Sequence, residues 1–305
     1  MSKKILFFGN ERLATGVTTT IPVLRALVLN GYEILAIIVP SSNHPPSRKP
    51  RLLEVEVFAQ AHNIPLIKLA KLKPAVEQLK SYSAEIAILA AFGQIVPKAV
   101  IDLFPGGIVN IHPSLLPKHR GPTPIESPIL AGETKTGVSL MKLVPALDAG
   151  PIYDQQSITL KGTENKQQLA DQLGELGGQR LIATLPSILN KSLMPIEQDN
   201  SLASYDQKIT INQSSLDFSK PANLLEREIR AFYGWPRSRT VLNHQPIIIT
   251  QAHQLDAPTT HPGKVIIHNH QFGFETSANI LIIDRLIPAG GKEMSASDYL
   301  IGHHL

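Results

Sequence analysis

Cysteine is absent from the chain, which at once excludes disulfides, thiolate metal sites and a cysteine nucleophile. Long apolar runs are missing too, and none approaches the ~18 residues that a membrane-spanning helix needs. The opening MSKKILFFGNER carries two lysines and four consecutive apolar residues before Gly9, short of a secretory leader. A cytoplasmic protein with no membrane partner is therefore expected. The turn GNERLATG after the first apolar run lacks G-x-G-x-x-G, so a dinucleotide is not indicated. His268, His270, His303 and His304 match no standard zinc spacing, and no metal is expected.

What is present is ordinary for a globular protein with a real core: 43% hydrophobic and 18% charged residues. A length of 305 residues fits one large domain or two of ordinary size. The net charge of +4 tilts toward an anionic partner, a nucleic acid or a phosphate-bearing ligand. KILFFGN, a helical GVTTTIPVLRALVLNGY and ILAIIVP give a strand, helix, strand opening. IPLIKL, EIAILAAF and IVNIH add strands, separated by helical LLEVEVFAQAHN, AVEQLKSY and PKAVIDLF. The pattern predicts an α/β fold, a Rossmann-like doubly wound parallel sheet, over residues 1–190. Periodicity fades over 191–207, which reads as a linker. Residues 208–305 open with a helix in ANLLEREIRAFYGWP and continue as short strand-like runs, TVLN, PIIITQA, GKVIIHN, FGFET and ILIIDRL. Turn residues separate them, as in a small β-barrel.

The chain is organised around residues 108–150. Alternation in IVNIH puts Asn110 and His112 on one face of a strand end, and Asp148 follows some thirty residues later in VPALDAGPIY. An amide that donates to an oxyanion, an imidazole that moves protons and a carboxylate that sets the imidazole's charge are the parts of an acyl-transfer site. From spacing alone an Asn-x-His pair at a strand end is more often structural, capping backbone groups. After this strand, Thr123-Pro-Ile-Glu126 has the form of a capping box, while Pro128 removes an amide donor nearby; the helix either starts later or kinks.

NIHPSLLPKHRGPTPIESPILAGE, followed by TGVSLMKL and LDAGPIY, resembles the signature of the folate-dependent formyltransferases. The resemblance implies transfer of a formyl group from 10-formyltetrahydrofolate, as co-substrate, to an amine. Asn110, His112 and Asp148 match the family's catalytic trio, and Ser114, Leu115, Leu116 and Pro117 its folate-binding stretch. In the family the loop after the first strand borders the active site; its usual threonine-proline pair is Asn10-Glu11 here.

Among these enzymes the chain is most similar to those acting on methionyl-tRNA. They carry a basic insertion where this chain has SSNHPPSRKPRL, with Arg48, Lys49 and Arg51 clustered. Cations on a loop suit phosphate contacts with an initiator tRNA. In an unknown protein the ordinary reading would be an exposed loop with solvated charges. RAFYGWP and GKEMSASDYL also resemble the tRNA enzymes, whose second domain is an oligonucleotide-binding (OB) type barrel that binds tRNA. That region is not formally basic here, with four lysines and five arginines against nine acids from Asp206 onward. Any tRNA contact there rests on a local stripe near Arg227, Arg230, Arg237 and Arg239, or on stacking by Tyr233 and Trp235. A monomer is expected. Two alternatives remain: a formyltransferase for an amino-sugar nucleotide or other small amine, and a non-catalytic RNA-binding protein.

Overall fold

The structure is a computed structural model and describes residues 4–13, 16–41 and 53–303. The chain forms two compact units. One gathers residues up to 124 with 135–159 and 170–207; the other gathers 125–134, 160–169 and 208–305.

The first unit is built on a seven-stranded sheet: β1 (Lys4–Gly9), β2 (Glu33–Pro40), β3 (Leu66–Leu69), β4 (Ile86–Ala90), β5 (Ile108–His112), β6 (Lys135–Lys142) and β7 (Ile152–Thr159). Their order is β3-β2-β1-β4-β5-β6-β7. The first five are parallel, β6 runs antiparallel to β5, and β7 runs antiparallel to β6. The fold is thus Rossmann-like, with its antiparallel strands at one edge. The strand order reverses between β1 and β4, the switch point beyond which ligands bind in such sheets. Gly9 ends β1 there, and a Cβ at this position would lie 1.9 Å from the Ala90 carbonyl oxygen. One face buries Leu6, Phe8, Ala36, Ile38, Ala87 and Phe92 in an apolar cluster, where Phe8 meets Phe92 and Phe104 edge-on.

The helices follow from local chemistry. Helix α1 (Pro22–Leu29) is shorter than the sequence pattern predicts. Proline is tolerated in a first helical turn, where its missing N–H has no intrahelical partner, and it disfavours helical geometry in the residue before it. Helices α2 (Glu54–Ala61), α3 (Val76–Lys80) and α4 (Lys98–Ile101) connect the strands, and α5 (Glu126–Ala131) precedes β6. Helix α5 starts later than a Thr123 cap would place it. Pro128 is then its third residue, inside the turn whose amides make no intrahelical bond, so no kink is needed. Helix α6 (Lys166–Leu189) lies along β5. A Cβ on Gly177 would come within 2.6 Å of the Ile111 side chain. Because Ile111 points toward α6, Asn110 and His112 point to the opposite face.

Residues 191–207, expected as a linker, add short pairings to the first unit. Ile196 bridges Ile152, and Tyr205 runs parallel to Arg120.

The second unit carries α7 (Ala222–Ala231), β8 (Ser238–Leu242), β9 (Gln245–Leu255), β10 (Val265–His268), β11 (Gln271–Glu275), β12 (Ile280–Pro288), β13 (Met294–Ser295) and α8 (Ala296–Gly302). The strands form an antiparallel, OB-like sheet ordered β10-β11-β12-β9-β8, with β13 on β12. Leu225, Ile229, Ile249, Phe272, Leu281 and Tyr299 fill its core. His270 belongs to a two-residue hairpin turn with Asn269, both at positive φ, which accounts for one of the clustered histidines. Among the described residues no three metal-ligating side chains converge, and no helix is long and apolar enough to cross a membrane.

Candidate active site

Strand β5 delivers Asn110 and His112, and the loop after β6 delivers Asp148. All three sequence-predicted residues belong to the first unit, and two of them meet. His112 Nδ1 lies 3.7 Å from Asp148 Oδ1. His112 Nε2 lies 3.0 Å from the His119 carbonyl oxygen. A carbonyl only accepts, so Nε2 carries a hydrogen, and Nδ1 faces the carboxylate. The other carboxylate oxygen of Asp148 accepts the Gly121 amide at 2.8 Å. Asn110 is 7% exposed, yet its side-chain amide makes no hydrogen bond among the described residues. Its polar atoms keep some access to solvent, so the amide has hydrogen-bonding capacity to spare beyond the strand end.

The stretch Ser114–Pro117 is a tightly held turn. Ser114 is buried and its hydroxyl donates to the Lys118 carbonyl at 2.7 Å. Ser139 Oγ donates to the Ser114 carbonyl at 2.6 Å and accepts the Leu116 amide at 3.0 Å. Gln155 donates to the Leu116 carbonyl at 2.7 Å, and the Leu116–Pro117 peptide is cis. Ser114 and Leu116 face inward, so Leu115 and Pro117, each half-buried, are the side chains this turn presents.

Asn10 and Glu11 have local partners. Asn10 Oδ1 accepts the Arg12 amide at 2.6 Å, while the buried Glu11 carboxylate accepts the Val55 amide in the first turn of α2 at 3.4 Å. A carboxylate suits that helix end. Arg48, Lys49 and Arg51 lie outside the described residues. In the second unit Arg230 pairs with Glu226 and donates to the Glu164 carbonyl, and Arg227 donates to the Ala131 carbonyl at 3.3 Å. Arg237 and Arg239 are exposed, Tyr233 is 39% exposed and Trp235 half-buried.

A second layer escaped the sequence reading. Arg120 is only 1% exposed and has neutral partners. It donates to Gln198 Oε1 through Nε at 3.1 Å and Nη2 at 2.7 Å, to Asn200 Oδ1 at 2.8 Å and to the Tyr205 hydroxyl at 2.9 Å. Gln198 Nε2 in turn donates to the Asp148 and Gly150 carbonyls at 2.9 and 2.7 Å. His119 faces Asp206, Nδ1 to Oδ1 3.1 Å. No spacing in the sequence announces these pairings, because they join residues 48 to 87 positions apart.

An amide, an imidazole and a carboxylate beside a Rossmann-like sheet are the parts an acyl- or formyl-transfer site would need. Comparison with known proteins shows the family. Residues 37–185 match the formyl transferase family model, and residues 208–304 match the model of the formyl transferase C-terminal domain. The methionyl-tRNA formyltransferase of Chloroflexus aurantiacus is 36% identical over 99% of this chain and 97% of its own length. That of Bacillus subtilis is 34% identical over 99% and 95%. Among solved structures, WlaRD, a sugar 3N-formyl transferase crystallised with dTDP and 5-N-formyl-THF, superposes with a TM-score of 0.68 at 20% identity, covering 93% of this chain and 98% of its own. The chain belongs to the formyl transferase family, and within it to the methionyl-tRNA formyltransferases.

Proposed function

We propose that this protein transfers the formyl group of 10-formyltetrahydrofolate to the α-amine of methionyl-initiator tRNA, giving N-formylmethionyl-tRNA and tetrahydrofolate. The observation that carries the chemistry is the Asn110 amide, which has no hydrogen-bond partner among the described residues and shares a strand face with His112, opposite Asp148. In this reading Asn110 donates to the formyl oxygen as the methionine amine attacks the formyl carbon and negative charge gathers on that oxygen. Such a donor is worth roughly 3 to 4 kcal/mol in a transition state. Protonated at Nδ1, His112 adds a second donor and passes a proton to the leaving folate nitrogen, and the neutral imidazole left behind takes up the proton that the amine loses. Proton management of this kind contributes typically ~10² to 10⁴ in rate. Asp148 attracts the proton on His112, and the Gly121 amide keeps its carboxylate in place. The C–N bond to methionine forms as the C–N bond to folate breaks.

The turn Ser114–Pro117 is the proposed folate wall, contributing Leu115 and Pro117 at its surface and holding the loop through Ser114 and Leu116. Arg48, Lys49 and Arg51, with Arg237 and Arg239 in the second unit, are the proposed phosphate contacts for tRNA. A cytoplasmic monomer of two domains, 1–190 and 208–305 joined through 191–207, is the proposed working form. The test is formyl transfer from 10-formyltetrahydrofolate by the purified protein, comparing methionyl-initiator with methionyl-elongator tRNA. Fast formylation of the initiator alone is expected. Folate binding without formylation of either tRNA would move the acceptor to a small amine.

A further inference from the structure

Two residues that touch the His112 ring or its carboxylate partner hold backbone conformations that L-residues seldom adopt. Asp148 has φ 46° and His119 has φ 59°. Left-handed geometry at a non-glycine residue persists where its surroundings over-determine it, and such residues cluster at functional sites. Both are pinned by the same stretch of chain. The Asp148 carbonyl accepts Gln198 Nε2, and the His119 amide donates to Ser204 Oγ at 2.9 Å while its ring faces Asp206. Between them the Arg120 amide donates to the Ser204 carbonyl and the Asp206 amide to the Arg120 carbonyl.

Gln198 is the centre of this arrangement. Its oxygen accepts twice from the buried Arg120 guanidinium, and its nitrogen donates to two carbonyls flanking Ala149. The side chain is thereby fully satisfied and fixed in one orientation. The guanidinium is planar and forks onto the amide oxygen, so it sets that orientation in a way a flexible ammonium would not. Asn200 and Tyr205, from the same stretch, complete the hold on Arg120, and its guanidinium carbon sits 5.6 Å from the Tyr205 ring centre.

We propose that Arg120 and Gln198 are positioning residues for formyl transfer. Together they hold Asp148 in its left-handed conformation opposite His112, making residues 198–206 a strap on the catalytic loop rather than a passive connector. The inference rests on the catalytic reading of His112 and Asp148, and it names residues which that reading does not include.

The test is Gln198→Glu in the full-length protein. The variant keeps the size and the acceptor for Arg120 but sets a carboxylate oxygen against the Asp148 and Gly150 carbonyls. We expect kcat to fall by ~10²-fold, in line with an ~1 Å misplacement of a reacting group, with KM for the folate changed by less than about threefold. The decisive readout is the double variant with Asp148→Asn. A residue acting through Asp148 loses its effect once that carboxylate is gone, so the double variant should match Asp148→Asn alone. Multiplying effects would overturn the proposal, as would an unchanged kcat. If Gln198→Glu does not fold, Tyr205→Phe serves, since that side chain is 62% exposed and the change removes only one hydrogen bond to Arg120. It should lower kcat by about threefold to tenfold and lose that effect in the Asp148→Asn background. An unchanged kcat, or an effect that persists there, counts against the proposal. An inactive wild-type protein would instead refute the catalytic reading on which all of this stands.

Discussion

Among the described residues two long cations are buried, Arg120 and Lys166, and they are handled in opposite ways. In the first unit Arg120 rests on two amide oxygens and a phenol, while the nearby carboxylate Asp148 faces His112 instead. In the second unit Lys166 is 0% exposed and lies 3.5 Å from the buried carboxylate of Glu126, with its ammonium also donating to the Trp235 carbonyl at 2.7 Å. Burial lowers the pKa of Lys166, and Glu126 opposes that shift. One cation is held by neutral groups and leaves a carboxylate unpaired with it, which in the proposed mechanism serves the chemistry. The other neutralises its carboxylate and ties Glu126 of α5 to the corner before β8. The difference teaches where to look for function: a buried charge with its own counter-ion explains fold, whereas an acid kept apart from a buried cation needs another reason.

The largest effect should come from Asp148→Asn. It keeps the shape of the side chain but removes the charge opposite His112. We expect kcat to fall by at least ~10²-fold with the pH–rate profile flattened, and the melting temperature close to that of the parent protein. If activity and pH profile are both unchanged, the comparison fails at its first term.

Lys166→Met should do the reverse. Removing one partner of a buried pair costs about 3 to 5 kcal/mol of stability, because the remaining carboxylate is left uncompensated. Chemical denaturation should show that loss, with kcat per folded molecule changed by less than about twofold. Adding Glu126→Gln should recover most of the stability, since a buried pair replaced as a unit is often nearly neutral. A kinetic defect in Lys166→Met with unchanged stability would erase the contrast between the two cations.

The smallest effect concerns Glu275, whose carboxylate accepts the His261 and Thr260 amides at 2.8 and 2.6 Å. These bonds, with Lys264 nearby, hold its pKa at about 2, against 4.5 for an unperturbed glutamate. A depressed folded-state value adds stability that is present above about pH 4.5 and drains away as the pH falls toward about 2. Glu275→Gln should therefore narrow the gap in stability between pH 7 and pH 3, measured by denaturant titration at each pH. An equal loss at both values would mean that the carboxylate's charge plays no part.

The sheet was legible in the sequence because its strands are nearly continuous apolar runs bounded by glycine, proline and helix-forming segments. The proposed trio was named for a different reason: Asn110 and His112 share a face of one short strand, within a motif long enough to be recognised. Asp148 could be named but not placed, since its position depends on a left-handed residue and on Gln198, fifty positions away. The hold on Arg120 was invisible for the same reason. Residues 191–207 lack periodicity because their regular structure is one three-residue 3₁₀ turn, Asn200–Leu202, and what they do is done by single side chains and isolated backbone pairings. Helix α1 was overextended because β-branched residues before Pro22 look compatible with a helix until the constraint imposed by proline is applied.

In the proposed mechanism the Asn110 amide is the group that meets charge developing on the formyl oxygen. Single-turnover formyl transfer by Asn110→Asp, measured beside the equilibrium affinity for the folate, tests this most directly. We expect a rate reduced by ~10² to 10³ with folate affinity changed by less than about threefold. Equal losses in rate and affinity would contradict it, and would make Asn110 a binding residue with no special part in the transition state.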